Sequence, residues 1–136
     1  MIPVVLDNLR NPAEAILYYN KALAVQPNDT YALTGKGDAL EDLRNYTGAI
    51  LYYNKALAID PKYVDALNNK GFALANLGNP AEAILYYDKD LAIQPNDTYA
   101  LDNKAAALNN LGNYTGAILY YNKALHYRSK GHFCIN

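Results

Sequence analysis

Apolar residues recur at helical spacing along almost the whole chain. In residues 63–77, Leu67, Leu74 and Leu77 fall on one helix face, with alanines between them. In residues 46–59 the inward face combines small, aliphatic and aromatic side chains: Ala49, Ile50, Tyr53, Ala56 and Leu57. These patterns return along the sequence and predict two alternating series of helices. The A series lies at 29–43, 63–77 and 97–111, and the B series at 46–59, 80–93 and 114–127.

Turn-forming residues stand where these helices should begin and end. Gly78 and Gly112 follow A helices, where a left-handed C-terminal cap favours glycine. Asparagine followed by proline, the pattern of an N-cap and a first helical turn, occurs at 11–12 and 79–80. Prolines at positions 27, 61 and 95 end B helices, because proline disfavours helix in the residue before it.

The chain also repeats itself every 34 residues. Pro27, Pro61 and Pro95 each close a KxLAxxP segment, and an AILYY block stands at 15–19, 49–53, 83–87 and 117–121. A fixed period of this size indicates stacked helix pairs, each of which buries its apolar face only against its neighbours. The sequence therefore predicts one all-α solenoid domain, with a half repeat at 1–28, repeats at 29–62, 63–96 and 97–128, and a tail at 129–136.

The repeated positions resemble the tetratricopeptide repeat family. The family's pattern of large apolar, glycine, leucine or aromatic, alanine, aromatic and proline residues falls on Leu67, Gly71, Leu74, Ala83, Tyr87 and Pro95. One repeat earlier it falls on Leu33, Gly37, Leu40, Ala49, Tyr53, Ala56 and Pro61. The match extends from about residue 4 to residue 127. The resemblance implies a right-handed α-solenoid of stacked antiparallel helix pairs, whose A helices line a concave groove that holds peptides.

Carried over by register, this groove would present polar and aromatic side chains from all three full repeats: Tyr31, Thr34, Asp38, Glu41, Asp42, Asp65, Asn68, Asn69, Phe72, Asn76, Tyr99, Asp102, Asn103, Ala106, Asn109 and Asn110. Asparagine amides can pair with the backbone of an extended peptide, and tyrosine adds contact area at low entropic cost. Because one end is acidic, we expect neutral or basic peptides to be preferred. The alternative is a solvated helix face with no dedicated ligand.

Chaperone-binding members of the family grip a C-terminal carboxylate with lysine, arginine and asparagine. The corresponding positions here hold Thr34, Asp38, Asn69, Tyr99 and Asn103, of which only Asn69 keeps the pattern. Without the cations, an acidic tail would be repelled by the carboxylates. We therefore expect no carboxylate clamp.

A row of lysines admits two interpretations. Lys36, Lys70 and Lys104 recur where many family members have an apolar residue. Their methylene stems could cover the core while the ammonium groups reach water, which is the interpretation we favour. Alternatively, the cations could pair with carboxylates along the stack, at Asp38, Asp65 or Asp102.

A cluster of carboxylates also admits two interpretations. Asp38, Glu41 and Asp42 share one helix face, which could gather them for a hard cation or for acid–base chemistry. No histidine or cysteine lies nearby in sequence, and the next repeat does not reproduce the cluster. We therefore favour a solvated acidic patch and expect no enzyme.

Asp90 breaks the repeat pattern inside a B helix. The other B helices have Ala22, Ala56 and Ala124 at this position, which is normally small because a neighbouring helix packs on it. An unpaired carboxylate there would cost about 1–3 kcal/mol. We expect Asp90→Ala to raise the melting temperature.

Composition narrows the function further. With 12 basic and 13 acidic residues, the chain has no field suited to nucleic acid. No apolar run approaches the roughly 20 residues of a membrane span. The lone Cys134 and the absence of a secretion signal favour a cytoplasmic protein. His126, His132 and Cys134 match no strong zinc motif, so we expect no metal and no cofactor.

These observations favour a non-catalytic scaffold that binds a peptide or protein segment in the concave groove. The alternative is a self-associating repeat array. The first A helix retains only residues 4–9, and no polar capping helix follows the last B helix. Uncapped apolar ends would pair across chains and produce a homo-oligomer.

Overall fold

The structure, a computed structural model, describes the backbone of residues 11–135 and the side chains of residues 11–130. Within this range the chain forms seven α-helices: α1 Pro12–Val25, α2 Thr30–Asp42, α3 Tyr46–Ile59, α4 Val64–Asn76, α5 Pro80–Ile93, α6 Thr98–Asn110 and α7 Tyr114–Ile135. The A helices are α2, α4 and α6, and the B helices are α1, α3, α5 and α7. The predicted remnant of a helix at 4–9 lies outside the described residues.

Each described helix packs against the next one along the chain. The A helices also pack directly against one another, α2 on α4 and α4 on α6, whereas the described B helices make no comparable direct contact. The A helices therefore line the inner, concave side of the stack, and the B helices are spread apart on the outer side. This arrangement confirms the predicted all-α solenoid.

Small residues form the core between helices, together with one buried tyrosine from each of α1, α3 and α5. Ala49, Tyr53 and Ala56 of α3 are fully buried and cluster with Ala66 and Ala73 of α4. The next repeat buries Ala83 and Tyr87 of α5 in the same register. Alanine at these positions lets neighbouring backbones approach closely, so the tyrosine rings fill most of the remaining space.

The helix ends follow the turn chemistry of the sequence. Gly78 and Gly112 have φ angles of 88° and 85°, as the left-handed caps require. Arg44, at the same register position after α2, has a φ of 64°. Asn11 caps α1 by accepting a hydrogen bond from the Glu14 amide at 3.2 Å. Asn79 makes no such side-chain bond to α5, which the sequence pattern did not anticipate.

The last B helix is longer than predicted. The sequence pattern ends it at residue 127, but α7 continues to Ile135. Proline ends the helix at positions 27, 61 and 95, and Ser129 takes that place here, so nothing in the backbone chemistry stops the helix. None of the described helices is both long and apolar enough to cross a membrane.

Asp90 lies in the core of α5, as its register predicts. Its side chain is fully buried, and neither carboxylate oxygen has a hydrogen-bond partner. Burial, together with the adjacent carboxylate of Asp97 and the more distant charge of Asp65, raises the pKa of Asp90 to about 8. This shift favours the neutral form of the Asp90 carboxyl group near pH 7.

Candidate peptide-binding groove

The concave side contains a hollow of about 370 Å³ between α2 and α4. Six predicted groove residues line it: Asp38, Glu41, Asp42, Asn69, Phe72 and Asn76. The seventh lining residue, Tyr46, is the first residue of the B helix α3 and was not predicted, because only A helices were assigned to the groove. Its position was readable from the sequence, since proline occupies that place in the alternate B helices α1 and α5.

Tyr53 joins two of the three carboxylates at this hollow. Its hydroxyl oxygen lies 2.7 Å from Oδ1 of Asp38 and 2.7 Å from Oε1 of Glu41. A phenol has a single proton and can donate to only one carboxylate at a time. A proton on one carboxyl group would let the second contact also be a hydrogen bond, so Tyr53 links Asp38 and Glu41 beneath a patch in which Asp38 and Asp42 are exposed, as the sequence favoured.

The environment of this cluster disfavours two negative charges. Burial raises the pKa of Asp38 to about 6, against the opposing effect of its hydrogen bonds to Tyr53 and Asn69. Burial also raises the pKa of Glu41 to about 7, with the charges of Asp38 and Asp42 acting in the same direction. The Oε2 atom of Glu41 is buried without a hydrogen-bond partner. These effects favour a protonated carboxyl group over two full negative charges on Asp38 and Glu41 in the range around pH 6 to 7.

A line of asparagine amides leads across the groove to this cluster. Asn103 of α6 donates to Oδ1 of Asn68 at 3.2 Å, Asn68 contacts Oδ1 of Asn69 at 3.4 Å, and Asn69 donates to Asp38 at 2.8 Å. Asn76 donates to the Phe72 carbonyl at 3.0 Å. The sequence predicts that these amides pair with a peptide backbone, but part of their donor capacity links one repeat to the next.

The remaining predicted groove residues differ in their exposure and in their contacts. Thr34 requires a correction, because it is buried and cannot contact a partner from the surface. Asp102 forms an ion pair with Arg128 of the extended α7. The others are exposed along the A helices: Tyr31, Asp65, Tyr99, Ala106, Asn109 and Asn110.

The lysine row contacts tyrosines, which neither sequence interpretation anticipated. The ammonium groups of Lys36, Lys70 and Lys104 donate to the hydroxyls of Tyr52, Tyr86 and Tyr120 at 2.9, 2.8 and 2.9 Å. These bonds join the A helix to the B helix of each repeat, on the side away from the groove. Among the described residues, no group of three or more histidine, cysteine, aspartate or glutamate side chains is placed to hold a metal ion. The His132 and Cys134 side chains lie outside the described range.

The fold and the groove define a helical-repeat protein built from stacked antiparallel helix pairs. Family models described as tetratricopeptide repeat match residues 5–64, 52–85 and 98–130. The matches together extend over most of the sequence, and the chain belongs to the tetratricopeptide repeat family. No curated protein sequence matches the chain.

Solved structures share this fold at low sequence identity. A crystal structure of MamA superposes with a TM-score of 0.86 at 24% identity, over 96% of this chain and 76% of the other. A double mutant of MamA from RS-1 gives a TM-score of 0.83 at 19% identity, over 95% and 72% of the two chains. The Pseudomonas aeruginosa pilF structure gives 0.82 at 24% identity, over 93% of this chain and 58% of the other. At these identities the likeness establishes the fold alone.

Proposed function

We propose that this protein is a non-catalytic scaffold that binds a protein or peptide segment in its concave groove, with a basic side chain of the partner in the hollow between α2 and α4. The observation that carries the proposal is the composition of that hollow. Asp38, Glu41 and Asp42 supply negative charge, and Phe72 and Tyr46 supply aromatic surface. A lysine or arginine side chain matches this combination, because its apolar stem can pack on aromatic surface while its cation contacts the carboxylates.

The chemistry of the cluster matches such a ligand. A guanidinium or ammonium group would offset the negative charge of the three carboxylates and donate to the exposed side chains of Asp38 and Asp42. The aromatic side chain of Phe72, which is 45% exposed, offers a surface for the stem or for a cation–π contact. Further along the groove, the exposed Tyr99 adds contact area.

The proposal is tested with a fluorescently labelled arginine-containing peptide and its neutral glutamine twin, using fluorescence anisotropy. Phe72→Ala removes the aromatic wall and copies Ala106, its own register partner, so folding is preserved. Asp42→Asn removes one charge from the exposed rim. We expect each substitution to weaken binding of the basic peptide about fivefold, which corresponds to about 1 kcal/mol.

Glu14→Gln in the first turn of α1 is the matched control, since it removes the same charge far from the hollow. It should leave the affinity unchanged. Charge-specific binding in the groove would be refuted if the basic and neutral peptides bound equally well. It would also be refuted if Glu14→Gln and Asp42→Asn lowered the affinity for the basic peptide equally.

A second candidate function is self-association through α7. Tyr114, Ile118, Tyr121 and Leu125 form an exposed stripe on this helix. In α3 the register equivalents Tyr46, Ile50, Tyr53 and Leu57 pack in the core that includes α4. The stripe thus has the chemistry of a face that receives an A helix. Light scattering coupled to size exclusion, over a concentration series of Cys134→Ser protein, would show a rising mass that Ile118→Lys abolishes. A constant mass near 15.0 kDa would remove this candidate.

A further inference from the structure

The outer side of the solenoid contains a row of three equivalent clefts, each between successive B helices. The first lies between α1 and α3 and has a volume of about 230 Å³. Leu23, Pro27 and Leu33 form its apolar floor, and Lys36, Tyr52 and Lys55 form its polar wall. The cleft exists because adjacent A helices pack together while the B helices diverge.

The same arrangement returns with the period of the repeat. The second cleft, of about 220 Å³, has Lys70, Tyr86 and Lys89 as its wall. The third, of about 590 Å³, has Lys104, Tyr120 and Lys123. Three clefts in the same register on one face can hold regularly spaced residues of a single ligand chain.

Two cations flank one tyrosine ring in every cleft. In the first, Nζ of Lys36 donates to the Tyr52 hydroxyl at 2.9 Å and lies 4.3 Å from the ring centroid, while Nζ of Lys55 lies 4.7 Å from that centroid. The second cleft repeats these contacts, with ammonium-to-centroid distances of 4.1 and 4.7 Å. No acidic side chain lines either cleft. Each therefore concentrates positive charge over an apolar floor.

The third cleft differs by one carboxylate. Asn20 and Asn54 line the first two clefts, and Asp88 takes their place in the third. Its Oδ1 lies 2.6 Å from Nζ of Lys104. One lysine of this cleft is thus already paired within the chain, which provides an internal comparison for the other two.

We propose that the first two outer clefts bind the carboxylate side chains of an acidic protein segment, whose apolar residues rest on the leucine and proline floors. Packed helices lie about 8–10 Å apart, and an extended chain advances about 3.3–3.6 Å per residue. Because the B helices diverge on this side, successive clefts lie at least this far apart, and about three or more residues of such a segment separate them. The exposed side chains of Leu51, Leu85 and Leu119 add apolar contact beside the row.

The recessed lysines favour a protein segment over a membrane surface. Lys36 and Lys70 are half-buried, so a carboxylate on a flexible side chain can reach them, whereas a flat layer of headgroups would meet mainly Lys55 and Lys89. The row is also opposite in charge to the concave hollow, so the two faces would take different partners at the same time.

The test uses a labelled peptide of repeated Leu-Glu-Ser units, a Leu-Gln-Ser twin, and vesicles of phosphatidylserine in phosphatidylcholine. Lys55→Gln combined with Lys89→Gln removes the two exposed cations. The half-buried Lys36 and Lys70 keep their hydrogen bonds to Tyr52 and Tyr86. We expect about fivefold weaker binding of the acidic peptide, from two exposed ion pairs. Lys62→Gln with Lys130→Gln, which changes the net charge equally at exposed positions outside the clefts, should have a much smaller effect.

Asp88→Asn gives the converse result without risk to folding, because asparagine is the residue at this register position in α1, α3 and α7. Freeing Lys104 should tighten binding of the acidic peptide about two- to threefold. The proposal would be overturned if both pairs of lysine substitutions weakened peptide binding equally, or if the acidic peptide bound no better than its neutral twin. It would also be overturned if Asp88→Asn did not tighten peptide binding, or if the protein bound the vesicles but not the peptide.

Discussion

A Cβ atom at Gly37 would lie 2.5 Å from Cε1 of Tyr53. The glycine thus makes the space in which the ring lies, and the ring in turn carries its hydroxyl to Asp38 and Glu41. The next repeat has the same relationship between Gly71 and Tyr87, at 2.6 Å. In the third repeat the glycine is replaced by the buried Ala105, and the corresponding Tyr121 is 43% exposed.

Gly37→Ala should therefore destabilise the protein. The added methyl group would overlap the fully buried ring of Tyr53, and overpacking of this kind costs about 1–3 kcal/mol. Urea denaturation would measure the loss as a lower midpoint with an unchanged slope.

Gly48→Ala is the matched control for this substitution. Its Cβ would meet the side chain of Asn45, the N-cap of α3, but α1 carries glutamate at this position and still keeps the equivalent cap bond from Glu14 to Asn11. Alanine there should leave stability unchanged or raise it by up to about 1 kcal/mol. Equal losses in the two variants would show that the Tyr53 contact is not the cause.

Asp90→Ala should raise the free energy of unfolding by about 1–3 kcal/mol near neutral pH, because it removes a buried carboxyl group without hydrogen-bond partners. Alanine is the residue that α3 and α7 bury at the same position. Thermal or urea unfolding would measure the gain. A melting temperature at or below that of the unsubstituted protein would contradict the conclusion that Asp90 is buried without a hydrogen-bond partner.

The gain in the free energy of unfolding from Asp90→Ala should also depend on pH. The folded-state pKa of Asp90 is raised to about 8 from an ordinary value of 3.8. Below pH 4 both states are protonated and the carboxyl group imposes no ionisation penalty. Between about pH 4 and pH 8 the unfolded state releases a proton that the folded state keeps, so wild-type stability falls relative to the variant. A stability difference that stays constant across this window would contradict the raised pKa.

Arg44→Gly should stabilise the end of α2. Arg44 has a φ of 64°, in the left-handed region that side chains disfavour by about 1–2 kcal/mol, and glycine occupies the equivalent positions 78 and 112. After the entropic cost of glycine, we expect a gain of about 0.5–1 kcal/mol. The reciprocal Gly78→Arg should lose a comparable amount. Changes of the same sign in both variants would rule out backbone conformation as the cause.

Binding of a basic peptide should strengthen as the pH rises through the range in which the groove cluster ionises. The pKa of Asp38 is about 6 and that of Glu41 about 7, so the cluster gains negative charge between about pH 5 and pH 8 while a peptide arginine stays charged. Titrations across this range should show about three- to tenfold tighter binding at the upper end. Asp38→Asn with Glu41→Gln should flatten the profile, and an unchanged profile in that variant would exclude the cluster as the titrating site.

The repeat period predicted most of the fold, because each helix face is defined by residues close in sequence. Gly78 and Gly112 correctly predicted the left-handed caps at the ends of two A helices. The burial of Asp90 was predicted from the alanines at the same position in the other B helices. The Tyr53 hydroxyl could not be placed on Asp38 and Glu41 in the same way, since that contact depends on how deeply the ring enters beside Gly37. The pairing of Lys36 with Tyr52 also required knowledge of how far the B helices diverge. Helix periodicity gives the face of a residue but not the neighbour that it meets.

Entry of a basic partner segment into the hollow between α2 and α4 can be followed residue by residue with nuclear magnetic resonance. The arginine-containing peptide would be titrated into isotope-labelled protein while backbone and side-chain amide signals are followed. We expect saturable shifts at Asn69, Phe72 and Asn76, and no comparable shifts at Lys55 or Lys89 on the outer side. Shifts centred on the outer clefts or on the exposed stripe of α7, or no saturable shifts at all, would contradict entry of the segment into the hollow.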